Sequence, residues 1–138
     1  MLVAAHGELA VHGVAMRPSS PTGLGRIGTA LVFLLPGNPV SALCAYDFFA
    51  GRAIRALGGR PTAWPYRSVR GRLVRKISSP IGRLDYARVR VDGDRVDPLG
   101  ISGASVLSST TRADGFVIVG DDSEGFATGE DVEVWLYA

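Results

Sequence analysis

Residues 31–57 read LVFLLPGNPVSALCAYDFFAGRAIRAL, and this stretch decides the fold. The continuous apolar run 31–35 is typical of a strand buried on both faces of a parallel sheet, because such a strand has no solvent side. Pro36-Gly37-Asn38-Pro39 breaks that strand before a helix begins. Asn38 is the expected N-cap and Pro39 the first helical residue. The free N–H groups of the helix then point over the carboxyl end of the strand, where an anion can bind.

The helix after this turn has a predicted packing face. Apolar residues recur at helical spacing, whereas Asp47, Arg52 and Arg55 fall elsewhere. Gly58-Gly59 then ends the helix. The alternative is that Pro36-Gly37-Asn38-Pro39 is only a tight strand-to-helix turn and binds no ligand. The predicted packing face consists of Leu43, Tyr46, Ala50, Ala53, Ile54 and Leu57.

Length and composition indicate a soluble globular protein. The chain has 138 residues, of which 46% are hydrophobic and 20% charged. The sequence has neither an apolar stretch near the roughly 20 residues of a membrane span nor the blocks of a signal peptide at its start, so we expect a cytoplasmic location. Cys44 is alone and is predicted to pack as a small apolar residue, and His6 and His12 as ordinary structural histidines.

Charge is distributed unevenly along the chain. Residues 1–90 carry 13 basic and 3 acidic groups, net +10, whereas residues 91–138 carry 2 basic and 10 acidic groups, net −8. Fourteen of the 15 basic residues are arginine, which favours bidentate contact with oxyanions. Two interpretations remain open: an anion site, or a self-complementary surface for oligomerisation.

The pattern of the chain changes near Pro61. Before it, residues 8–16 resemble a strand and residues 17–23 a loop, followed by the strand and helix above, which is typical of the end of an α/β domain. After it, short alternating segments predict a small β-barrel or sandwich over residues 62–138, with Asp92-Gly93-Asp94 as a hairpin turn. The predicted strands lie at 68–77, 85–91, 116–119 and 132–137.

Three loops carry candidate site residues. Residues 17–21, Arg-Pro-Ser-Ser-Pro, hold one cation and two hydroxyls between prolines, and residues 82–88 place Arg83 and Arg88 five apart across a turn into a strand. Residues 100–105 and 108–111 supply hydroxyls and exposed backbone donors. The sequence contains no Gly-x-Ser-x-Gly nucleophile elbow, no His-Glu-x-x-His zinc-binding helix and no phosphate-binding loop with Gly-Lys-Ser/Thr. Solvated acidic turns are the expected role of Asp114, Asp121, Asp122 and Glu124.

These residues carry a family resemblance. Pro36-Gly37-Asn38-Pro39-Val40-Ser41 follows an apolar strand and a loop similar to Lys-Pro-Gly-Lys-Pro. It precedes Gly-Arg-x-x-aromatic-x-Arg and a Gly-x-Ser segment before Ala113-Asp114-Gly115. This order resembles the C-terminal part of the molybdopterin molybdotransferases, the MoeA and gephyrin E-domain family. The resemblance covers nearly the whole chain and implies the end of a molybdopterin-binding-like α/β domain over residues 1–61.

The resemblance also implies a reaction and a set of site residues. The family inserts molybdate into adenylylated molybdopterin with release of AMP, assisted by a divalent cation such as Mg²⁺, within a homodimer. The implied substrate-binding turn is formed by residues 36–39, and Arg88 is implied as a secondary site residue. The family's acidic metal-binding loops lie upstream, so we expect metal ligands outside this chain and association with upstream domains. The implied molybdate ligands are Arg17, Ser20, Ser41, Arg83 and Ser105.

Two other functions remain as alternatives. A basic β-barrel could track RNA, because several basic residues lie near Trp64 and Tyr66. The other alternative is a non-catalytic assembly element in which the oppositely charged halves of two copies pair. The basic residues in question are Arg67, Arg70, Arg72, Arg75 and Lys76.

Overall fold

The structure is a computed structural model, which describes residues 2–99 and 111–137. The chain forms two compact units. The first comprises Met1–Ala15 and Ser19–Trp64, and the second comprises Met16–Pro18 and Pro65–Ala138. A three-residue segment thus belongs with residues far along the chain, which sequence patterns do not indicate. Within the described residues no helix is both long and apolar enough to cross a bilayer.

The first unit contains a small sheet and a helix. Its strands form an antiparallel sheet in the order β1-β3-β4. The helix is continuous from 39 to 57 but changes geometry on the way, with a π-helical turn at Tyr46–Ala50 between two α-helical parts. The elements are α1 (Leu2–His6), β1 (Glu8–His12), β3 (Gly23–Ile27), β4 (Ala30–Leu34), α2 (Pro39–Ala45) and α3 (Gly51–Leu57); the intervening β2 (Met16–Arg17) lies in the second unit.

The strand predicted at 31–35 to be buried on both faces is an edge strand. Within the described residues β4 pairs with β3 alone, and the pairing is antiparallel. Leu31 is 57% exposed and Leu35 is 41% exposed, so the prediction of burial on both faces is wrong. An apolar run predicts that a strand is buried, but it does not show which element would pack against it. The parallel α/β layer expected for this part of the chain is not seen among the described residues.

The predicted packing face of the helix is only partly correct. Ala50 is buried and Ala53 half-buried, but Leu43, Tyr46, Ile54 and Leu57 are exposed. The helix also buries small residues outside the predicted face, among them Cys44 and Ala45. The prediction of a buried Cys44 is confirmed. Hydrophobic spacing alone cannot distinguish two apolar faces of one helix, and here the face with the smaller side chains is the one covered.

The second unit is a closed β-barrel. Five strands pair in the cycle β7-β8-β5-β11-β9, and β9 closes the cycle on β7; β2 adds to β7 as a parallel strand. β6 and β10 form a separate two-stranded sheet, whose Ile77 and Phe126 pack against the barrel core. The strands are β5 (Arg67–Leu73), β6 (Ile77–Ser78), β7 (Leu84–Asp92), β8 (Arg95–Pro98), β9 (Gly115–Val119), β10 (Gly125–Phe126) and β11 (Asp131–Leu136).

The barrel interior is filled by branched aliphatic side chains from alternate strand positions. Val117 and Val119 of β9 and Val132 and Val134 of β11 are at most 2% exposed. Alternate positions of a barrel strand face inward, so each strand contributes every second residue. The predicted barrel is confirmed, and Gly93, at φ 60°, lies in the predicted hairpin turn between β7 and β8. The segment 68–77, which we expected as one strand, is divided between β5 and β6, which belong to different sheets.

Candidate functional site

The helix start in the first unit has the predicted cap. Asn38 is extended at φ −72° and ψ 125°, and its side-chain oxygen accepts a hydrogen bond from the backbone N–H of Val40 at 3.1 Å. Pro39 occupies the first turn, where its missing N–H costs nothing. The carbonyl of Asn38 accepts from the N–H of Ala42 at 2.8 Å. The turn 36–39 therefore fixes the direction in which the helix begins.

Ser19 connects this helix to the proline-rich loop. Its hydroxyl donates to the carbonyl of Ser41 at 2.5 Å, and its own carbonyl accepts from the N–H and the hydroxyl of Thr22. Ser19 is buried and has a φ of +95°, a conformation that glycine adopts more readily. In the resembling motif Lys-Pro-Gly-Lys-Pro this position is the glycine. Ser41 itself is 6% exposed, whereas Ser20 is exposed.

Arg17 has a carboxylate partner that the sequence analysis missed. β2 pairs in parallel with β7, which sets Arg17 beside Asp85. Nε of Arg17 lies 3.0 Å from Oδ1 of Asp85, and its Nη2 contacts Oδ2. Asp85 is fully buried, and the arginine side chain is 36% exposed. The sequence signal for this pair is weak: Asp85 is an acidic residue at the start of a strand whose next charged residues are arginines. Two nitrogens of the Arg17 guanidinium, Nε and Nη2, are thus occupied by the Asp85 carboxylate.

Arg83 is the exposed cation of this part of the barrel unit. It lies in the turn before β7, next to Gly82, which has a φ of +92° and whose N–H donates to the carbonyl of Asp121 at 2.7 Å. The register of β2 on β7 places Met16 beside Leu84. Parallel pairing therefore brings the Gly-Arg turn near the beginning of the Arg-Pro-Ser-Ser-Pro loop.

Arg88 differs from Arg83 because it is buried. It is 3% exposed, and its register partner on β9 is Phe116. Phe116 is fully buried and stacks on Tyr86, with ring centroids 4.2 Å apart and planes at 18°. The hydroxyls of Tyr86 and Tyr137 are 2.6 Å apart. The aromatic residue and second arginine of the Gly-Arg motif therefore belong to a packed cluster of the barrel unit.

The remaining predicted site residues fall outside the described residues. Ser105 lies there, with the whole of 100–105 and most of 108–111. Asp114 is exposed in a bend, as expected for a solvated acidic turn, and it also makes hydrogen bonds within the barrel unit. Its carboxylate accepts from the N–H of Val91 at 2.8 Å, and its N–H donates to the carbonyl of Val89 at 3.0 Å.

The part of the chain that the structure describes holds no group of three or more potential metal ligands. Asp121 and Asp122, which lie near the Gly-Arg turn in the barrel unit, are exposed loop residues. The described residues therefore do not fit a divalent cation site.

Several basic residues in and after β5 face acidic neighbours. Arg70 is the register partner of Glu133 and Arg72 of Asp131 on β11, with an Arg72–Asp131 ion pair at 3.4 Å. Arg75 pairs with Asp97 at 2.6 Å. The antiparallel pairing of β5 with β11 thus joins parts of the basic and acidic halves of the sequence within one unit. This pairing lowers the net positive charge available to a nucleic acid on that surface.

These features define a class of protein: a capped Pro-Gly-Asn-Pro helix start, a serine-containing proline loop, and a five-stranded barrel entered through a Gly-Arg turn. A family profile described as the MoeA C-terminal region (domain IV) matches residues 70–137. In an alignment of 144 positions the chain is 38% identical to molybdopterin molybdenumtransferase 1 of Mycobacterium tuberculosis. In an alignment of 125 positions it is 33% identical to molybdopterin molybdenumtransferase 2 of that organism. These matches cover 96% and 88% of this chain.

Solved structures give the same result. The MoeA molybdopterin biosynthesis protein of Pyrococcus horikoshii superposes with a TM-score of 0.81 at 33% identity over 99% of this chain. A molybdenum cofactor biosynthesis protein of Pyrococcus furiosus superposes with a TM-score of 0.81 at 29% identity over 94% of this chain. The chain belongs to the MoeA family and corresponds to its C-terminal portion.

The chain spans only part of these relatives. It covers 33% and 30% of the two transferases of M. tuberculosis, and 34% of the P. horikoshii chain. Since the matching profile describes a C-terminal region, the unmatched part of the relatives precedes the matched segment.

Proposed function

We propose that this chain provides the C-terminal part of a molybdopterin molybdotransferase, which inserts molybdate into adenylylated molybdopterin and releases AMP. The observation that supports this proposal is the exposed guanidinium of Arg83 on the turn before β7. The Gly-Arg motif of the resemblance lies on that turn, within the segment that the family profile matches. The activity depends on the region that precedes this segment in the relatives.

Arg83 suits the charge and shape of molybdate. Molybdate is a tetrahedral dianion, and a planar guanidinium offers two parallel donors to a pair of its oxygens. Arg17 is a weaker ligand in this proposal, because two of its donor directions are already directed to Asp85. Asp85 then acts as a positioning residue that fixes the beginning of the 17–21 loop.

The first unit contributes the substrate-binding turn 36–39. The Asn38 cap and the rigid Pro39 hold the first turn of the helix in place, so its free N–H groups are oriented before a substrate arrives. Fixed donors stabilise charge that moves between molybdate and phosphate oxygens without reorganisation. Ser20, Ser41 and Ser105 remain proposed hydroxyl ligands. Of these, Ser41 is buried, so its hydroxyl would have to become accessible before it could contact an anion.

A divalent cation belongs to the proposed reaction, but the described residues do not fit it. We assign the metal ligands to the region that precedes this segment in the family. We also propose that the reaction takes place in a cytoplasmic homodimer.

A chimera tests the proposed activity. In it, this chain replaces the matched segment of M. tuberculosis molybdopterin molybdenumtransferase 1, and AMP release from adenylylated molybdopterin is followed after molybdate is added. We expect activity from the chimera and a loss of at least about tenfold in kcat/KM with Arg83→Ala, because a charge-assisted hydrogen bond contributes about 1.5–3 kcal/mol. Arg67→Ala removes another exposed arginine from the same unit and serves as the matched control.

Each result of the chimera experiment has a defined meaning. An active chimera that is unaffected by Arg83→Ala would remove Arg83 from the anion site. A folded chimera that releases no AMP would contradict the proposed activity itself.

A further inference from the structure

The outer surface of the barrel carries two arginines side by side. Arg72 of β5 and Arg95 of β8 are register partners, and these two strands run parallel. The residues that follow them, Leu73 and Val96, are at most 1% exposed, so both arginines lie on the solvent side of their strands. Neighbouring strands lie about 4.8 Å apart. The two guanidinium groups can therefore reach the same anion.

Backbone contacts fix the positions of the two arginines. A Cβ atom at Gly71 would lie 2.6 Å from Cγ2 of Val96 and 2.9 Å from the carbonyl oxygen of Asp94, so the glycine allows β8 to lie this close to β5. The N–H of Arg72 donates to that same carbonyl at 2.6 Å. The pair therefore stands on a rigid part of the barrel, and its geometry is set before a ligand arrives.

Much of the hydrogen-bonding capacity of the two arginines is unused. Asp131 of β11 is the register partner of Arg72, and Asp92 of β7 is that of Arg95. The contact of Arg72 with Asp131 is long, 3.4 Å, and Arg95 makes no ion pair with any residue that the structure describes. Like charges on neighbouring strands repel each other. An anion bound between the two arginines would offset this repulsion.

A groove lies beside the pair. Two cavities, of about 390 and 230 Å³, share Val74 and Arg95 as lining residues. The larger cavity is also lined by Arg72, and the smaller by Arg90 and Val91. Val74 and Val91 are half-buried, so they give the groove an apolar part next to its cations. Pockets for drug-sized ligands begin at about 300 Å³, and the groove therefore suits a small molecule.

We propose that this groove binds a small phosphate monoester. Its phosphate lies between Arg72 and Arg95, and its apolar part lies against Val74 and Val91. A phosphate monoester carries a charge of about −1.5 to −2 at pH 7, and its oxygens accept paired hydrogen bonds from guanidinium groups. Molybdate and inorganic phosphate lack the apolar part, so we expect them to bind this groove weakly.

The groove is distinct from the proposed molybdate site. Arg83 precedes the first residue of β7, whereas Asp92, beside Arg95, is the last residue of this nine-residue strand. The two sites therefore lie at opposite ends of β7. This inference goes beyond the proposed function and does not rest on it.

Calorimetric titration of phenyl phosphate into the complete chain tests the groove. We expect saturable one-to-one binding at least about fivefold tighter than that of inorganic phosphate, because the ring adds apolar contact. Arg72→Ala and Arg95→Ala should each raise Kd at least about fivefold. Arg67→Ala is the matched control, since Arg67 is an exposed arginine at the other end of β5, and it should leave Kd unchanged. Arg83→Ala should also leave this Kd unchanged.

Asp131→Asn is expected to have the opposite effect. It removes the carboxylate that competes with the ligand for Arg72, so Kd should fall at least about twofold. Glu133→Gln removes the same charge from the same strand, but Glu133 is the register partner of Arg70. This control should leave Kd unchanged, and equal tightening by both substitutions would contradict a specific role for Arg72.

Several outcomes would overturn the proposal. These are the absence of saturable binding, an unchanged Kd of the Arg95→Ala variant, and equal affinity for phenyl phosphate and inorganic phosphate. A loss of affinity with Arg83→Ala in place of Arg95→Ala would put the phosphate at the Gly-Arg turn instead. A phosphotyrosine peptide that binds more than about tenfold tighter than phenyl phosphate would overturn the assignment to a small molecule.

Circular dichroism verifies that each variant is folded, and Arg95→Gln replaces Arg95→Ala if the alanine variant is not. AMP release by the chimera is a separate measurement. The groove can therefore fail its test while the proposed function survives, and the reverse also holds.

Discussion

The hydroxyl of Ser19 donates to the backbone carbonyl of Ser41 at 2.5 Å, and this bond fastens the proline-rich loop to the first turn of the helix. Ser19 is 2% exposed, so the bond is shielded from water. Ser19→Ala removes the donor and keeps the positive φ, which alanine tolerates no better than serine. We expect a loss of about 1 kcal/mol in the free energy of unfolding, measured by urea denaturation.

The neighbouring Ser20 provides the control for this substitution. Ser20 is exposed, and its hydroxyl has no role in the loop that we can identify. Ser20→Ala is expected to change the free energy of unfolding by less than about 0.5 kcal/mol. If Ser19→Ala were as stable as Ser20→Ala, the hydroxyl of Ser19 would not be holding the loop.

The Arg17–Asp85 pair predicts a second effect on stability. Arg17→Ala leaves a fully buried carboxylate without its guanidinium, and breaking a buried pair costs about 3–5 kcal/mol. Because the Arg17 side chain is 36% exposed, we expect a smaller loss, about 2 kcal/mol, in urea denaturation. A double-mutant cycle with Asp85→Asn should show that the two losses are not additive.

Arg75→Ala is the matched control for the ion pair. Arg75 pairs with Asp97, but the side chains of both residues are well exposed, 64% and 44%. Its removal should cost at most about 1 kcal/mol. Equal losses for Arg17→Ala and Arg75→Ala would show that burial of Asp85 does not set the strength of its pair.

The aromatic cluster of the barrel unit predicts a large packing effect. Phe116 is fully buried and contacts the rings of Tyr66, Tyr86 and Tyr137. Phe116→Ala should lower the free energy of unfolding by about 3–5 kcal/mol, because a buried ring is lost and a cavity remains. Thermal unfolding followed by near-ultraviolet circular dichroism measures this loss. A cost below about 1 kcal/mol would mean that the cluster is not packed as described.

Nucleic-acid binding separates the main account from its alternative. Arg70 and Arg72 face Glu133 and Asp131 across the β5–β11 pair. We therefore expect weak oligonucleotide binding with little dependence on salt in fluorescence anisotropy at 50 to 200 mM salt. Tight binding that falls by orders of magnitude over this range would favour the RNA-binding module.

Sedimentation at low and high ionic strength similarly tests the assembly element, which predicts association at low salt.

The barrel was predictable because its strands obey a local rule. Segments such as 85–91 and 132–137 alternate in polarity, and Asp92-Gly93-Asp94 marks the turn, so sequence neighbours alone reveal strand and hairpin. The cap at Asn38 was predictable for the same reason, since its partner, the N–H of Val40, lies two residues away. In each case the stabilising contact and the sequence signal are close together.

Features that depend on distant residues were not predictable. Asp85 reads as one acidic residue in a strand, and only the parallel pairing of β2 with β7 shows that it binds Arg17. The run 31–35 and the spacing of Leu43 and Ile54 both predicted burial, but these residues include exposed ones, because an apolar pattern does not say which surface would cover it. Both failures concern contacts far apart in sequence or surfaces that this chain leaves open.

Calorimetric titration of molybdate into the chain tests the central claim most directly. The account predicts measurable binding of molybdate, and of tungstate as its analogue. Arg83→Ala should raise Kd at least about tenfold, which corresponds to about 1.4 kcal/mol, and Arg67→Ala should leave Kd unchanged. Ser41→Ala should also weaken binding. Molybdate binding that is identical in the unaltered chain, Arg83→Ala and Ser41→Ala would contradict the assignment of the anion site.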